Sequence, residues 1–253
     1  MSPYTEGTWI VDLDGVVWLA GTAIQGAREA IHRLREARVR VLFVTNNSAP
    51  TLDQLVARLS RAGIPAVADD LVTSAQAAAA MLHPGERVVA LADGGATEAL
   101  LARGVELVAD GPADAVVIGW THQFDFDRLS LAARVVRAGA RLIGTNEDST
   151  HPTPDGLLPG AGALLAAVAT AADTVPEVAG KPHPPIVGLI GQRSDDVSLV
   201  VGDRPATDGA LAGALGVPYA LVLSGVTASK AQASPAPALC ARDLLALVIQ
   251  QLG

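Results

Sequence analysis

Aromatic side chains are scarce in this chain, with three Phe, three Trp and two Tyr among 253 residues. Half of the residues are hydrophobic, so the core has to be built from Ala, Val and Leu, a composition that suits strands buried on both faces. Cysteine is nearly absent too. The lone Cys240 excludes an internal disulfide and cannot by itself form a zinc cluster. It fits a reducing cytoplasm and reads as a small core filler. Bases are outnumbered, 18 Lys and Arg against 26 Asp and Glu, for a formal charge of −8. That balance argues against nucleic acid or an anionic membrane as partner, while leaving room for a local positive site for a small anion. No window of about 18 residues is free of charge and of Gly or Pro breaks, as a membrane span requires. The first residues lack a basic segment followed by an apolar run, so a signal peptide is not expected and a cytoplasmic protein is.

What the chain does have is alternation. Ile10–Leu13 reads as a strand, 26–38 as a helix with Ala27, Ala30, Ile31, Leu34 and Ala37 at helical spacing, and Val39–Val44 as a second strand. Thr51 and Gln54 form a capping-box pattern for the next helix, Gly63 is its stop, and Ala75–Leu82 continues helically. The pattern restarts near residue 83. Strands are expected at Val88–Leu91, Ala115–Ile118 and Leu142–Ile143, with helices at Thr97–Arg103 and Phe126–Ala138. The first style then returns: a helix near Ile186–Ile190, strand Ser198–Val201, helix Gly209–Leu215 and strand Tyr219–Leu223. This is the signature of βαβ units and an α/β fold: a Rossmann-like, mainly parallel core over 1–76 and 181–253, with an inserted α/β domain over 77–180.

Two acids interrupt the first apolar run, in Trp9-Ile10-Val11-Asp12-Leu13-Asp14-Gly15-Val16-Val17-Trp18. Isolated charges in a buried strand cost several kcal/mol unless a metal or partner compensates them. At i, i+2 spacing on an extended chain the two side chains share a side and can converge on one cation. A strand ending in a polar turn is the plainer alternative. Three further polar clusters follow predicted strands or precede predicted core helices: Thr45-Asn46-Asn47, Gly180-Lys181-Pro182, and Gly202-Asp203-Arg204 with Thr207-Asp208. In a parallel sheet the carboxyl ends of the strands point one way and ligands bind there, so clusters some 190 residues apart in sequence can meet.

With DLDGV at 12–16, TNN at 45–47, Lys181 in GKP and GDRPATD at 202–208, the chain resembles the haloacid dehalogenase superfamily. The insert between the second and third motifs, Thr-Asn-x-Asp at 145–148 and Pro-Gly-x-Gly at 159–162 resemble its type IIA cap branch, which includes phosphoglycolate, glycerol-phosphate, nucleotide and p-nitrophenyl phosphate phosphatases. The resemblance implies a Mg²⁺-dependent phosphatase of small phosphorylated metabolites. Asp12 would be the nucleophile and Asp14 the general acid and base. Thr45, Asn46 and Asn47 would bind the substrate's phosphoryl oxygens, and Lys181 would offset negative charge. Asp203 would hold Mg²⁺ with Asp12 and the backbone carbonyl of Asp14, and Asp208 would support that shell. A homodimer paired through the caps is also implied. A phosphotransferase or mutase on the same fold, and a metabolite-binding regulator that lost the reaction, are the alternatives.

Each assignment has a plainer competitor. Asp208 could simply cap the helix that follows it. Thr45 and Asn46 could form a polar turn, and Lys181 could be a solvated loop lysine. His183 could start a helix or reach a phosphate. Trp120, His122, Phe124 and Phe126 could line a substrate face or belong to the core. The chain departs from the family pattern at Pro205, Gly209, His183 and Glu147, none of which removes a catalytic group. No G-x-G-x-x-G, P-loop, zinc or G-x-S-x-G pattern is present.

Overall fold

Val- and Ile-rich runs with no polar face can be satisfied only by a sheet covered on both sides, and the chain builds two such sheets. In the computed structural model, which describes residues 4–153 and 156–253, six strands form the first. Their order is Leu239–Ala241, Tyr219–Val222, Val197–Gly202, Thr8–Val11, Arg40–Thr45 and Leu71–Thr73. The pairings among the first five are all parallel. The chain leaves Thr8–Val11 toward one edge and returns through Val197–Gly202 toward the other, so the order reverses between these two central strands, where doubly wound sheets bind ligands. The second sheet is also parallel, in the order Glu177–Val178, Arg141–Gly144, Ala115–Ile118, Arg87–Leu91 and Glu106–Leu107.

Each sheet anchors one compact unit. Met1–Thr45, Leu55–Val72 and Val187–Gly253 make the first; Asn46–Gln54 and Thr73–Ile186 make the second. The insert expected at 77–180 falls inside the second unit, which also takes 46–54, 73–76 and 181–186. Hydrogen bonds account for this: Gly95 N donates to Ala49 O at 2.8 Å, and Ser74 Oγ to Asn46 O at 2.7 Å.

The Thr51/Gln54 capping box is present, with reciprocal bonds of 3.0 and 3.2 Å ahead of helix Leu52–Arg61. Gly63 follows in the left-handed region, φ +74. Two helices lie where no periodicity pointed, Ala161–Ala172 and Leu244–Leu252. The first strand ends at Val11, not Leu13. Beyond it Leu13 O accepts the Val17 and Trp18 N–H groups, curling the chain into a turn rather than extending it. Cys240 is half-buried on the edge strand rather than a core filler. Among the described residues no helix is long and apolar enough to cross a membrane.

Candidate active site

Asp12 is the first residue past its strand, and its N–H still donates to Val201 O at 3.0 Å, so the carboxylate is delivered at the carboxyl end of the sheet. Asp203 follows Val197–Gly202 in the same way on the neighbouring parallel strand. Asp208 comes from the turn that Asp203 begins. The ligand atoms of Asp12, Asp203 and Asp208 lie within 4.8 Å of one another, and all three residues are buried. At an effective dielectric constant of about 20, unit charges that close repel by roughly 3–4 kcal/mol per pair. A hard divalent cation with oxygen ligands, Mg²⁺ or Ca²⁺, offsets that repulsion and matches the donor set.

The backbone is shaped around these acids. A Cβ on Gly15 or on Gly225 would collide with the Asp203 carboxylate, and one on Gly202 with that of Asp208. Gly15 also has φ +88, which L side chains rarely adopt. Asp203 Oδ2 accepts the Val226 N–H at 2.6 Å, and Ser224 Oγ donates to Gly15 O at 2.7 Å, tying the loop after Tyr219–Val222 to the loop after Thr8–Val11. Asp208 is not a helix cap. It sits in a π-helical turn, Pro205–Gly209, with Oδ2 accepting the upstream Arg204 N–H at 3.0 Å, and the cap of helix Ala210–Leu215 is Gly209. Burial pushes the Tyr219 hydroxyl above its ordinary value, and the charges of Asp208, Asp203 and Asp12 add to the shift. It therefore stays a neutral donor, to Gly202 O at 3.3 Å.

Asp14 is not one of the three clustered carboxylates. Its Oδ1 accepts the indole N–H of Trp18 at 3.0 Å. Thr45 is the last residue of strand Arg40–Thr45 and only 1 % exposed, so it is not part of a polar turn.

Asn46, Asn47 and Lys181 belong to the second unit. Lys181 is 4 % exposed and therefore not a solvated lysine; its N–H donates to Asn46 Oδ1 at 2.8 Å. The Asn46 carbonyl accepts from Ser74 Oγ and from Asn146 Nδ2, both at 2.7 Å, which explains the second Thr-Asn pair at 145–146. Asn47 Oδ1 accepts the Ala49 N–H at 3.1 Å. His183 precedes helix Pro184–Arg193, and its Nε2 meets Glu147 Oε2 at 2.7 Å, so two of the four departures from the family pattern pair with each other. Trp120 packs against His122 and His151 with ring centroids 4.5 and 4.7 Å apart, Phe124 packs on the second unit's core, and Phe126 is exposed.

Sequence reasoning passed over Trp18, Tyr219 and Gly225, which surround these acids. Only Gly225 carried a local signal, a small residue just past a strand; the others act through contacts that the fold creates.

A haloacid dehalogenase-like hydrolase model matches residues 9–106, and a related HAD-hydrolase-like model matches 178–247. D-glycerol 3-phosphate phosphatase from Mycobacterium tuberculosis is 40 % identical over 228 residues, which are 87 % of this chain and 64 % of that protein. The chain thus spans a little under two thirds of this relative's length. Acid sugar phosphatase from Staphylococcus saprophyticus is 36 % identical over 79 % of this chain and 80 % of its own. Among solved structures, glycerol phosphate phosphatase from M. tuberculosis in complex with magnesium superposes with a TM-score of 0.88. It is 37 % identical, and the match covers 98 % of this chain and 78 % of that one. With relatives of this similarity over most of their length, the chain belongs to the haloacid dehalogenase-like hydrolase family.

Proposed function

We propose that this chain is a Mg²⁺-dependent phosphatase that hydrolyses phosphate monoesters of small metabolites through an aspartyl-phosphate on Asp12. One observation carries the reading: three buried carboxylates, those of Asp12, Asp203 and Asp208, converge at the ends of two adjacent parallel strands. Asp12, Asp203 and the backbone carbonyl of Asp14 would hold the metal, and Asp208 would support that arrangement. Mg²⁺ supplies the positive charge without which a carboxylate and a phosphate dianion repel each other.

The chemistry of the side chains follows from their types. One oxygen of Asp12 attacks phosphorus while the bond to the ester oxygen breaks, its electron pair staying on that oxygen. Asp14 gives that oxygen a proton, and the alcohol leaves. Water then attacks the phosphorus, Asp14 takes up its proton, the bond to Asp12 breaks, and phosphate departs with both residues restored. The Thr45 hydroxyl would bind a phosphoryl oxygen. Asn46, Asn47 and Lys181 keep the roles the resemblance implies, binding phosphoryl oxygens and offsetting charge.

The named activities of the relatives put glycerol phosphate and sugar phosphates first among substrates, ahead of phosphoglycolate and nucleotides. Under this reading residues 77–180 act as a cap that selects the leaving group and excludes water. The enzyme would work in the cytoplasm, and a homodimer would form through the caps.

The test is phosphate release from a panel of these esters with Mg²⁺ and with EDTA, for the wild type and Asp12→Asn. Release that requires Mg²⁺ and falls in the variant by on the order of 10³ or more is the expected result. Full activity in Asp12→Asn would overturn the reading. Transfer of the phosphoryl group to added alcohols instead of water would make the enzyme a transferase, and tight ligand binding without turnover would make the chain a regulator.

A further inference from the structure

Asp14 is tethered by a side chain that none of the four motifs contains. Trp18 is 1 % exposed, and its indole N–H points at Asp14 Oδ1 from 3.0 Å. The backbone reinforces the pairing: Gly15 N donates to Trp18 O at 2.6 Å, and Asp14 and Trp18 form an isolated bridge. Trp18 also opens a short hairpin with Thr22–Ala23, turned by Ala20 and Gly21, both at positive φ. Over its ring lies Arg58 of helix Leu52–Arg61, with Cζ 4.1 Å from the ring centroid. Burial pushes the Arg58 guanidinium down from its ordinary value, and the nearby Asp14 charge opposes that shift.

An indole nitrogen only donates, and a neutral carboxyl group accepts best through its carbonyl oxygen, so the bond to Trp18 favours Oδ1 as the accepting oxygen. Any proton Asp14 carries therefore belongs on Oδ2, the oxygen left to serve an ester. We propose that Trp18, clamped by Arg58, is a positioning residue that fixes which oxygen of Asp14 delivers the proton to the departing alcohol. The inference rests on the phosphatase reading above. Packing alone would make every substrate suffer alike, whereas a positioning role penalises only substrates whose leaving group needs a proton.

The variants Trp18→Phe and Arg58→Met keep the apolar bulk while removing the donor or the clamp. Glycerol 3-phosphate needs its leaving oxygen protonated, whereas the nitrophenolate of p-nitrophenyl phosphate leaves without a proton. The ratio kcat/KM includes only steps up to alcohol departure, so hydrolysis of the intermediate does not enter. Because a general acid contributes about 10²–10⁴, Trp18→Phe is expected to lower kcat/KM for glycerol 3-phosphate about 10–100-fold more than for p-nitrophenyl phosphate. Equal factors for both esters, or no loss for either, would overturn the inference. If Trp18→Phe does not fold, Arg58→Met decides, with a selective loss of roughly 3–10-fold expected and an equal loss or none overturning it. A wild type that releases no phosphate from either ester would instead overturn the underlying function.

Discussion

Glycine 225 shows how a residue without a side chain can serve chemistry. Its open position admits the Asp203 carboxylate, and the next residue's N–H binds that carboxylate at 2.6 Å. In Gly225→Ala the new Cβ overlaps Asp203, which has to turn away from Asp12 and Asp208. With Asp203 as the proposed metal ligand, and since disturbing the partners of such a ligand costs about 10–100-fold in affinity, the Mg²⁺ concentration for half-maximal activity should rise by that factor. Calorimetric titration of Mg²⁺ checks it; unchanged affinity in a folded variant would show that the close approach does not position Asp203. The acids themselves were legible in the sequence because a charge in an apolar run is conspicuous. Trp18 was not, and the signal at Gly225 was too weak to single it out, because a tryptophan in an apolar run and a glycine past a strand have ordinary structural uses.

At the scale of elements, the central strands are registered by a polar knot at their amino ends, away from the chemistry. Asp196 Oδ1 accepts from Ser194 Oγ at 2.6 Å and from Thr8 Oγ1 at 2.8 Å, joining the approach to Val197–Gly202 to the start of Thr8–Val11. The Ser194 hydroxyl first, then that of Thr8, holds the Asp196 carboxyl below its ordinary 3.8. A depressed acid stabilises the fold above its unfolded value, and the contribution disappears as pH falls through the lower folded value. Asp196→Asn should therefore lower the urea midpoint at pH 7, and its deficit against the wild type should shrink below about pH 3.8. A gap equal at every pH would show that the charge is not what registers the strands. Helices with a polar face, such as Leu52–Arg61, announced themselves through capping and spacing. Helix Ala161–Ala172 did not, because a run of Ala, Leu and Val apolar on every side has no face to reveal a period. Helix Leu244–Leu252 carried a readable signal in Asp243, whose carboxylate caps Ala246 N at 2.7 Å.

For the whole molecule, the division into two units has a thermodynamic consequence. Asp12, Asp203 and Asp208 all belong to the first unit, so Mg²⁺ should stabilise that unit directly, by about 2.7 kcal/mol at one hundred times its Kd. Differential scanning calorimetry should resolve a transition that rises with Mg²⁺ and returns with EDTA, beside one that does not move. A single transition shifting as a whole would mean that the units unfold together. The sequence by itself determined the α/β alternation, the parallel core and the order of the acidic clusters, because those rest on local periodicity and on charges placed where apolar residues belong. Tertiary structure alone decided that Asp208 joins Asp12 and Asp203 rather than capping a helix, that Lys181 is buried against Asn46, and that Asp14 is held by Trp18. Each of these joins segments, or sets a turn, that no local pattern encodes; they exist only once strands distant in sequence have paired.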